Sequence, residues 1–448
     1  MRIRAFVLAL AVVVSTASAQ AAFRVAVWIP GWSQDGLRSM QLHAGSVGES
    51  NPVWYVANAD GSVAKKYNAE DPSLRAAMTG TSIIPTIQNN NSNGFDATLG
   101  AALIATPESR ESHAAAIAAV VRNNAFDGID IDYERVPTAS RANFTAFVQT
   151  LAKKLHDSGK KLSVTVYAKT SDAQNWNGPG SQDWAAIGAA ADSVKIMAYD
   201  YHWDGSAAGA ITPLTWLDQV TTYAKSVIPA AKVMIALPWY GYDWLGTDAT
   251  DVSFAGATTI ATNNAINIGH DENGEATFTY NGRTVFFIDS SAYEKKLNLL
   301  KTKHASIGGV AHWAVGQEDP AVWNVLKGST NPVTTAPADY TVAGPSQLAL
   351  QAGMSTSGEY RLTPINGFSG TATVRVQAAT PFAGTITPSA TTVTNAAPVT
   401  LRVEAPRNTP AGSYQVRVQF VTASAIREQV VTISVSPAAP GKIRAIRR

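Results

Sequence analysis

Between residues 23 and 327 of this 448-residue chain, short β-branched runs alternate with longer segments that repeat alanine and leucine every three or four residues. Eight runs are strand candidates: 24–29, 53–57, 83–87, 128–132, 162–167, 194–199, 233–237 and 309–313. Helical patterns at 108–124, 141–158, 214–227 and 293–303 fall between several of them. Strands that recur only after a helix-length segment pair in parallel, because a parallel neighbour needs a crossover. Eight such units in about 300 residues predict an α/β fold, a (β/α)8 TIM barrel. An open doubly wound sheet is the rival, but no Gly-rich fingerprint follows the first strand.

About 50 residues separate the seventh run from the helix before the eighth. Within them, 275–280 and 283–289 flank Asn281-Gly282, the signal for a tight type I′ hairpin. A small α+β insertion of about residues 245–290 is therefore expected beside the barrel mouth, within a domain of residues 20–327. Residues 328–338 (GSTNPVTTAPA) read as a linker. Beyond it, strand-like runs at 346–350, 371–377, 399–404, 413–421 and 428–435, with Asn366-Gly367-Phe368-Ser369-Gly370 and Pro410-Ala411-Gly412-Ser413-Tyr414 as turns, predict a β-sandwich over 339–436. It resembles immunoglobulin-like accessory domains. Residues 437–448 form a short basic tail.

Arg2 and Arg4 precede an apolar run over 5–14 and then Ala17-Ser18-Ala19, the pattern of a secretory signal peptide cut near Ala19. The run is too short to span a bilayer. Export to the extracellular space or periplasm is the expectation. With 35 basic and 33 acidic residues and only 15% charged, composition supports neither a nucleic-acid nor a membrane partner. The absence of cysteine excludes thiol catalysis and disulfide frameworks. Residues 331–448 carry 10 basic against 4 acidic side chains, and residues 1–330 carry 25 against 29. All 11 tryptophans fall in the first piece, from Trp28 to Trp323.

The fourth run reads Asp127-Gly128-Ile129-Asp130-Ile131-Asp132-Tyr133-Glu134. Residues two apart on a strand share a face, so Asp130, Asp132 and Glu134 project together and the isoleucines and Tyr133 point the other way. Clustered carboxylates inside a barrel are costly, and each raises the others' pKa. The arrangement suits acid–base chemistry, with one carboxyl protonated beside an ionised neighbour. Glu134 ends the row at the C-terminal rim, where barrel active sites sit. A Ca²⁺ loop also alternates acids, but it needs a Gly turn and a distal Glu; no metal and no cofactor are expected.

The pattern D-x-x-D-x-D-x-E, as Asp127, Asp130, Asp132 and Glu134, resembles the signature of glycoside hydrolase family 18, the chitinases and their relatives. Three further segments agree in order: Met197-Ala198-Tyr199-Asp200, Leu237-Pro238-Trp239-Tyr240-Gly241 and Gly309-Val310-Ala311-His312-Trp313. The resemblance implies substrate-assisted catalysis, in which the sugar's own 2-acetamido oxygen attacks the anomeric carbon. It makes Glu134 the acid and base, Asp132 the partner of the acetamido N–H with Asp130 sharing its proton, and Tyr199 a donor to the acetamido oxygen. Asp127 is read as a structural hydrogen-bonder.

The implied partner is an N-acetylglucosamine-containing polysaccharide: chitin or chito-oligosaccharides, with peptidoglycan as the alternative and a catalytically silent glycan-binding protein as a third reading. A monomer is expected. Aromatic rings stack on sugars, so Trp313 above all, with Trp28 and Trp239, are candidate platforms; Trp203 and Trp244 are even between platform and core. Asp200, Tyr201 and Met197 are expected at the substrate. Where chitinases carry an S-x-G-G turn, this chain has Gln88-Asn89-Asn90-Asn91, so Gln88 and Asn89 are read as amide contacts to glycan. That departure is closer to the branch with spore-cortex and cell-wall glycosylases.

Overall fold

The computed structural model describes residues 23–67, 69–173, 176–328, 339–365, 370–378, 382–394, 397–422 and 426–438. The expected leader over 1–19, nearly all of the linker, the turn at 366–369 and the tail beyond 438 lie outside the described residues. The chain divides into two compact units, 1–329 and 330–448.

The first unit is built on eight parallel strands: β1 (Arg24–Pro30), β2 (Glu49–Ala57), β3 (Thr86–Gln88), β4 (Gly128–Asp132), β5 (Lys161–Tyr167), β6 (Ser193–Met197), β7 (Val233–Pro238) and β8 (Gly309–Trp313). Each pairs with its neighbours in chain order, and β1 pairs with both β2 (Ala26↔Glu49) and β8 (Arg24↔Gly309), so the sheet closes. Closure is tight at that seam. Gly309 has φ 146, and a Cβ there would lie 2.0 Å from the Arg24 carbonyl oxygen. Only glycine lets the backbones approach so far.

Alternation along the strands divides the residues between two environments. Ile129, Ile131, Val164, Val194, Ile196, Val233 and Val310 point outward into the core shared with the surrounding helices and are at most 1% exposed. Ala26, Trp28, Val53, Met234, Ala236 and Ala311 form a separate apolar cluster inside the barrel. The opposite inner wall is polar: Asp130, Asp132, Ser163, Thr165 and Lys195.

Three strands differ from expectation by two residues or more. The second, expected over 53–57, begins at Glu49. The run 83–87 is broken into Ser82–Ile83 and Thr86–Gln88. Pro85 between them has no N–H for the ladder, although its carbonyl accepts from Asp130 N at 2.9 Å. The sixth strand stops at Met197, before Tyr199, because Asp200 turns the chain with a φ of 60.

Strand β7 leads directly into an antiparallel sheet of Asp248–Ser253, Tyr240–Leu245, Arg283–Phe287, Ala276–Tyr280 and Gly269–His270, with helix Phe254–Asn263 packed on it. Asn281 and Gly282 carry positive φ values of 46 and 77 and join its central hairpin. Buried Glu275 ties this lobe to the barrel: it accepts from Ile211 N and Thr212 N at 2.6 and 2.8 Å and pairs with Lys296 at 2.9 Å.

The second unit contains a four-stranded antiparallel sheet and a five-stranded sheet. Alternate residues of both, including Tyr340, Tyr360, Leu401, Val418 and Phe420, meet in one core. In the five-stranded sheet, Gln347–Gln351 runs parallel to Ile426–Ser436 and the other pairings are antiparallel.

Candidate active site

The alternation in β4 sorts its side chains by chemistry. Tyr133 points outward, fully buried, with its hydroxyl 2.5 Å from His113 Nε2. Asp127 accepts from Ile83 N at 2.8 Å and anchors the start of the strand. Asp130 and Asp132 point into the barrel.

Asp130 is completely buried. Its carboxylate accepts from Trp28 Nε1 (3.1 Å), Thr86 Oγ1 (3.0 Å), Thr165 Oγ1 (3.1 Å) and Lys195 Nζ (3.1 Å). Lys195 also pairs with Glu49 at 2.7 Å and donates to Ser163 at 2.8 Å. A cation with this many partners compensates a buried carboxylate that would otherwise cost several kcal/mol. These donors engage both oxygens of Asp130, whose charge adds to that of Glu134 in raising the pKa of Asp132. Sequence reasoning missed Lys195 and Glu49. The signal was present, since Lys195 has the same strand parity as Met197 and Tyr199.

Asp132 is held on one side only. Its Oδ2 accepts from Gln88 Nε2 at 2.8 Å, while its Oδ1 is buried with no partner among the described residues. Burial, then the charge of Glu134, drives its pKa well above the ordinary carboxylate range. Such an oxygen is open to a hydrogen bond with a ligand, because a buried polar atom without a partner is unfavourable.

Glu134 lies just past the end of β4 and is partly exposed. Its backbone is clamped by Asn89, which is 0% exposed: Asn89 Oδ1 accepts from Glu134 N at 2.8 Å and Asn89 Nδ2 donates to the Glu134 carbonyl at 2.9 Å. Asn89 is therefore a positioning residue of the chain itself and not the glycan contact expected of it. Its amide is fully engaged inside the protein. The Glu134 carboxylate accepts from the Tyr167 hydroxyl at 2.6 Å. Burial raises its pKa to about 7, against the lowering effect of that hydrogen bond. A carboxyl so placed can give and take a proton near neutrality.

Tyr199 and Asp200 face this row from the end of β6. The Tyr199 ring packs edge-on against Tyr240 at 6.1 Å, and burial raises its hydroxyl pKa well above the ordinary value. Asp200 accepts from Tyr242 at 3.0 Å and from Tyr240, both on the first strand of the inserted lobe. Its pKa rises to about 6, chiefly by burial. Met197 is half-buried below them, and Tyr201 is 50% exposed, tilted against Trp216 at 5.3 Å.

The tryptophans separate sharply. Trp313 is partly exposed, with its ring 6.2 Å from Trp28. Trp28 is 2% exposed and its indole N–H is spent on Asp130, so it lies beneath the site instead of offering a face to sugar. Trp239 is wholly buried, stacked on His312 at 4.2 Å and set edge-on to Trp323 at 5.0 Å. Its parity with Leu237 turns it outward, away from the barrel interior, so it is core. Trp203 is 53% exposed and Trp244 1%. Gln88, 6% exposed, serves Asp132. Tyr167, Tyr240 and Tyr242 were missed, because nothing in their local sequence announces a carboxylate partner.

Residues 75–318 match the family model described as Glycosyl hydrolases family 18. The cortical fragment-lytic enzyme of Bacillus anthracis is 30% identical over 256 residues, 54% of this chain and 58% of that one. The chain thus spans under two thirds of that relative's length. Among solved structures, the spore cortex-lytic enzyme SleL of Bacillus cereus aligns with a TM-score of 0.63 at 25% identity, covering 69% of this chain and 75% of SleL. A chitinase from Chromobacterium violaceum aligns with the same TM-score and identity, covering 69% of this chain and 100% of the chitinase.

Proposed function

The chain belongs to family 18 of the glycosyl hydrolases, and from that membership we propose that it cleaves β-1,4 linkages next to N-acetylglucosamine with retention, using the substrate's 2-acetamido group as nucleophile. The observation that carries this reading is the Asp132–Glu134 pair: a buried acceptor oxygen without a partner beside a carboxyl whose pKa is about 7. Glu134 protonates the leaving glycosidic oxygen as the acetamido oxygen bonds to the anomeric carbon. Asp132 Oδ1 accepts the acetamido N–H and stabilises the cationic oxazolinium, and Tyr199 donates to the acetamido oxygen, keeping it in attack geometry. Ionised Glu134 then takes a proton from water as the water oxygen bonds to the anomeric carbon and the bond to the acetamido oxygen breaks, which regenerates the acetamido group and restores the starting configuration.

Comparing reducing-end release from chito-oligosaccharides by the wild type and Glu134→Gln tests this. Equal release from both would remove Glu134 from catalysis and leave a silent glycan binder. The polymer is an N-acetylglucosamine glycan. The names of the cortex-lytic relatives favour peptidoglycan, and the chitinase neighbour keeps chitin as the second reading. The leader pattern at 1–19 supports export, which mass spectrometry of the N-terminus of secreted protein would check. The two-sheet second unit supports an immunoglobulin-like accessory module.

A further inference from the structure

A cavity of about 800 Å³ opens at the C-terminal ends of β2 and β3, with Asn58, Lys66, Tyr67, Asn90, Asn91 and Asp96 in its wall. Among the described residues, its only cationic wall residue is Lys66. The preceding residue, Lys65, takes the nearby carboxylate of Glu70. Lys66 makes no ion pair among the described residues. Its ammonium donates to Asn90 Oδ1 at 2.7 Å and sits 5.0 Å from the centre of the Tyr67 ring. An ammonium has three N–H donors, so donors remain for a ligand. The one carboxylate in the wall among the described residues, Asp96, is already engaged: it caps a helix through Thr98 N and Leu99 N, both at 2.9 Å, and accepts from Asn91 Nδ2 at 2.9 Å.

This cavity is joined to the catalytic row by amides. Asn90 Nδ2 donates to Gln88 Oε1 at 3.4 Å, and Gln88 Nε2 donates to Asp132 Oδ2 at 2.8 Å. A glycan whose acetamido group meets Asp132 and that runs along this line of amides would reach Lys66. Chitin is uncharged and would bring nothing to satisfy that ammonium. A glycan in which N-acetylglucosamine alternates with a carboxylate-bearing amino sugar would.

We propose that Lys66 is a carboxylate-binding subsite and that the substrate is an acidic N-acetylglucosamine glycan, its carboxylate held beside the sugars flanking the cleaved bond. This rests on the glycosidase reading above. The carboxylate has two possible sources, the ether-linked acid of the sugar itself or the peptide attached to it.

The test uses the full-length protein and four substrates: peptidoglycan strands with peptides intact, strands stripped of peptide, stripped strands with carboxyls methyl-esterified, and neutral chito-oligosaccharides. A charge-assisted hydrogen bond predicts that the wild type turns over stripped strands with a kcat/KM about tenfold above that for the esterified strands. Lys66→Met removes that preference, chiefly through KM. A preference seen only with peptides intact assigns the carboxylate to the peptide. Equal kcat/KM on peptide-bearing, stripped and esterified strands alike, or a Lys66→Met loss as large on neutral sugars as on charged ones, overturns the proposal while leaving the glycosidase reading in place. If no substrate is turned over, that reading falls. Calorimetric binding of the four glycans to Glu134→Gln then decides the Lys66 site alone, since tighter binding of the charged strands supports it and equal binding refutes it.

Discussion

The Tyr167 hydroxyl, at the end of β5, donates to Glu134 Oε2 at 2.6 Å across the barrel rim. A donor to a carboxylate favours its ionised form, so this contact opposes the burial that raises Glu134 to about 7. The acid is thereby kept close to the pH at which it must both donate and accept.

Tyr167→Phe removes that donor and should raise the Glu134 pKa further. The acid form is needed for the first step, so activity falls as pH rises through that pKa. The basic limb of the kcat/KM profile is expected near pH 7 in the wild type and should move to higher pH in the variant. A limb that stays in place would show that the contact does not tune the acid.

Glu134→Gln should lower kcat by about 10²- to 10⁴-fold, the range for loss of a general acid–base group. It should also change stability with pH. Because the folded-state pKa of Glu134 lies above the ordinary carboxylate value, the wild type has its full stability from this group in acid and loses it as pH rises toward 7. The variant should melt above the wild type at pH 8 and with it at pH 4. Thermal melts at the two pH values check the crossover.

Lys195→Met strands two buried carboxylates, Asp130 and Glu49, that its ammonium now holds at 3.1 and 2.7 Å. Breaking a buried pair from one side costs about 3 to 5 kcal/mol. Adding Glu49→Gln removes one stranded charge and should recover part of the loss. Urea unfolding of the two single variants and the double variant measures the coupling, and strict additivity would contradict the network.

Trp313 and Trp239 should respond oppositely. Trp313→Ala, which removes the partly exposed ring proposed to stack on sugar, should raise KM severalfold with a small stability change. Trp239→Ala opens a hole among His312, Tyr293 and Trp323 and should cost about 3 to 5 kcal/mol, with KM unchanged in the protein that still folds. Steady-state kinetics beside denaturant titration separates the two effects.

The sequence by itself determined the barrel and its inner carboxylate face. Strand and helix periods are local, and a period of two places Asp130 and Asp132 on one side of β4 whatever packs around them. The spacing of Met197, Tyr199 and Asp200 was equally legible. What the tertiary structure decided was partnership. Asn89 looked like a glycan contact, but the fold brings it against the Glu134 backbone, 45 residues away in the chain. Trp28 looked like a platform until Asp130, 102 residues on, claimed its N–H. Lys195 meets Glu49 only because closing the barrel sets β6 across from β2. Hydrogen bonds between distant segments leave no mark on the period of either segment, so the identity of each group was written in the sequence and its task was set by its neighbours.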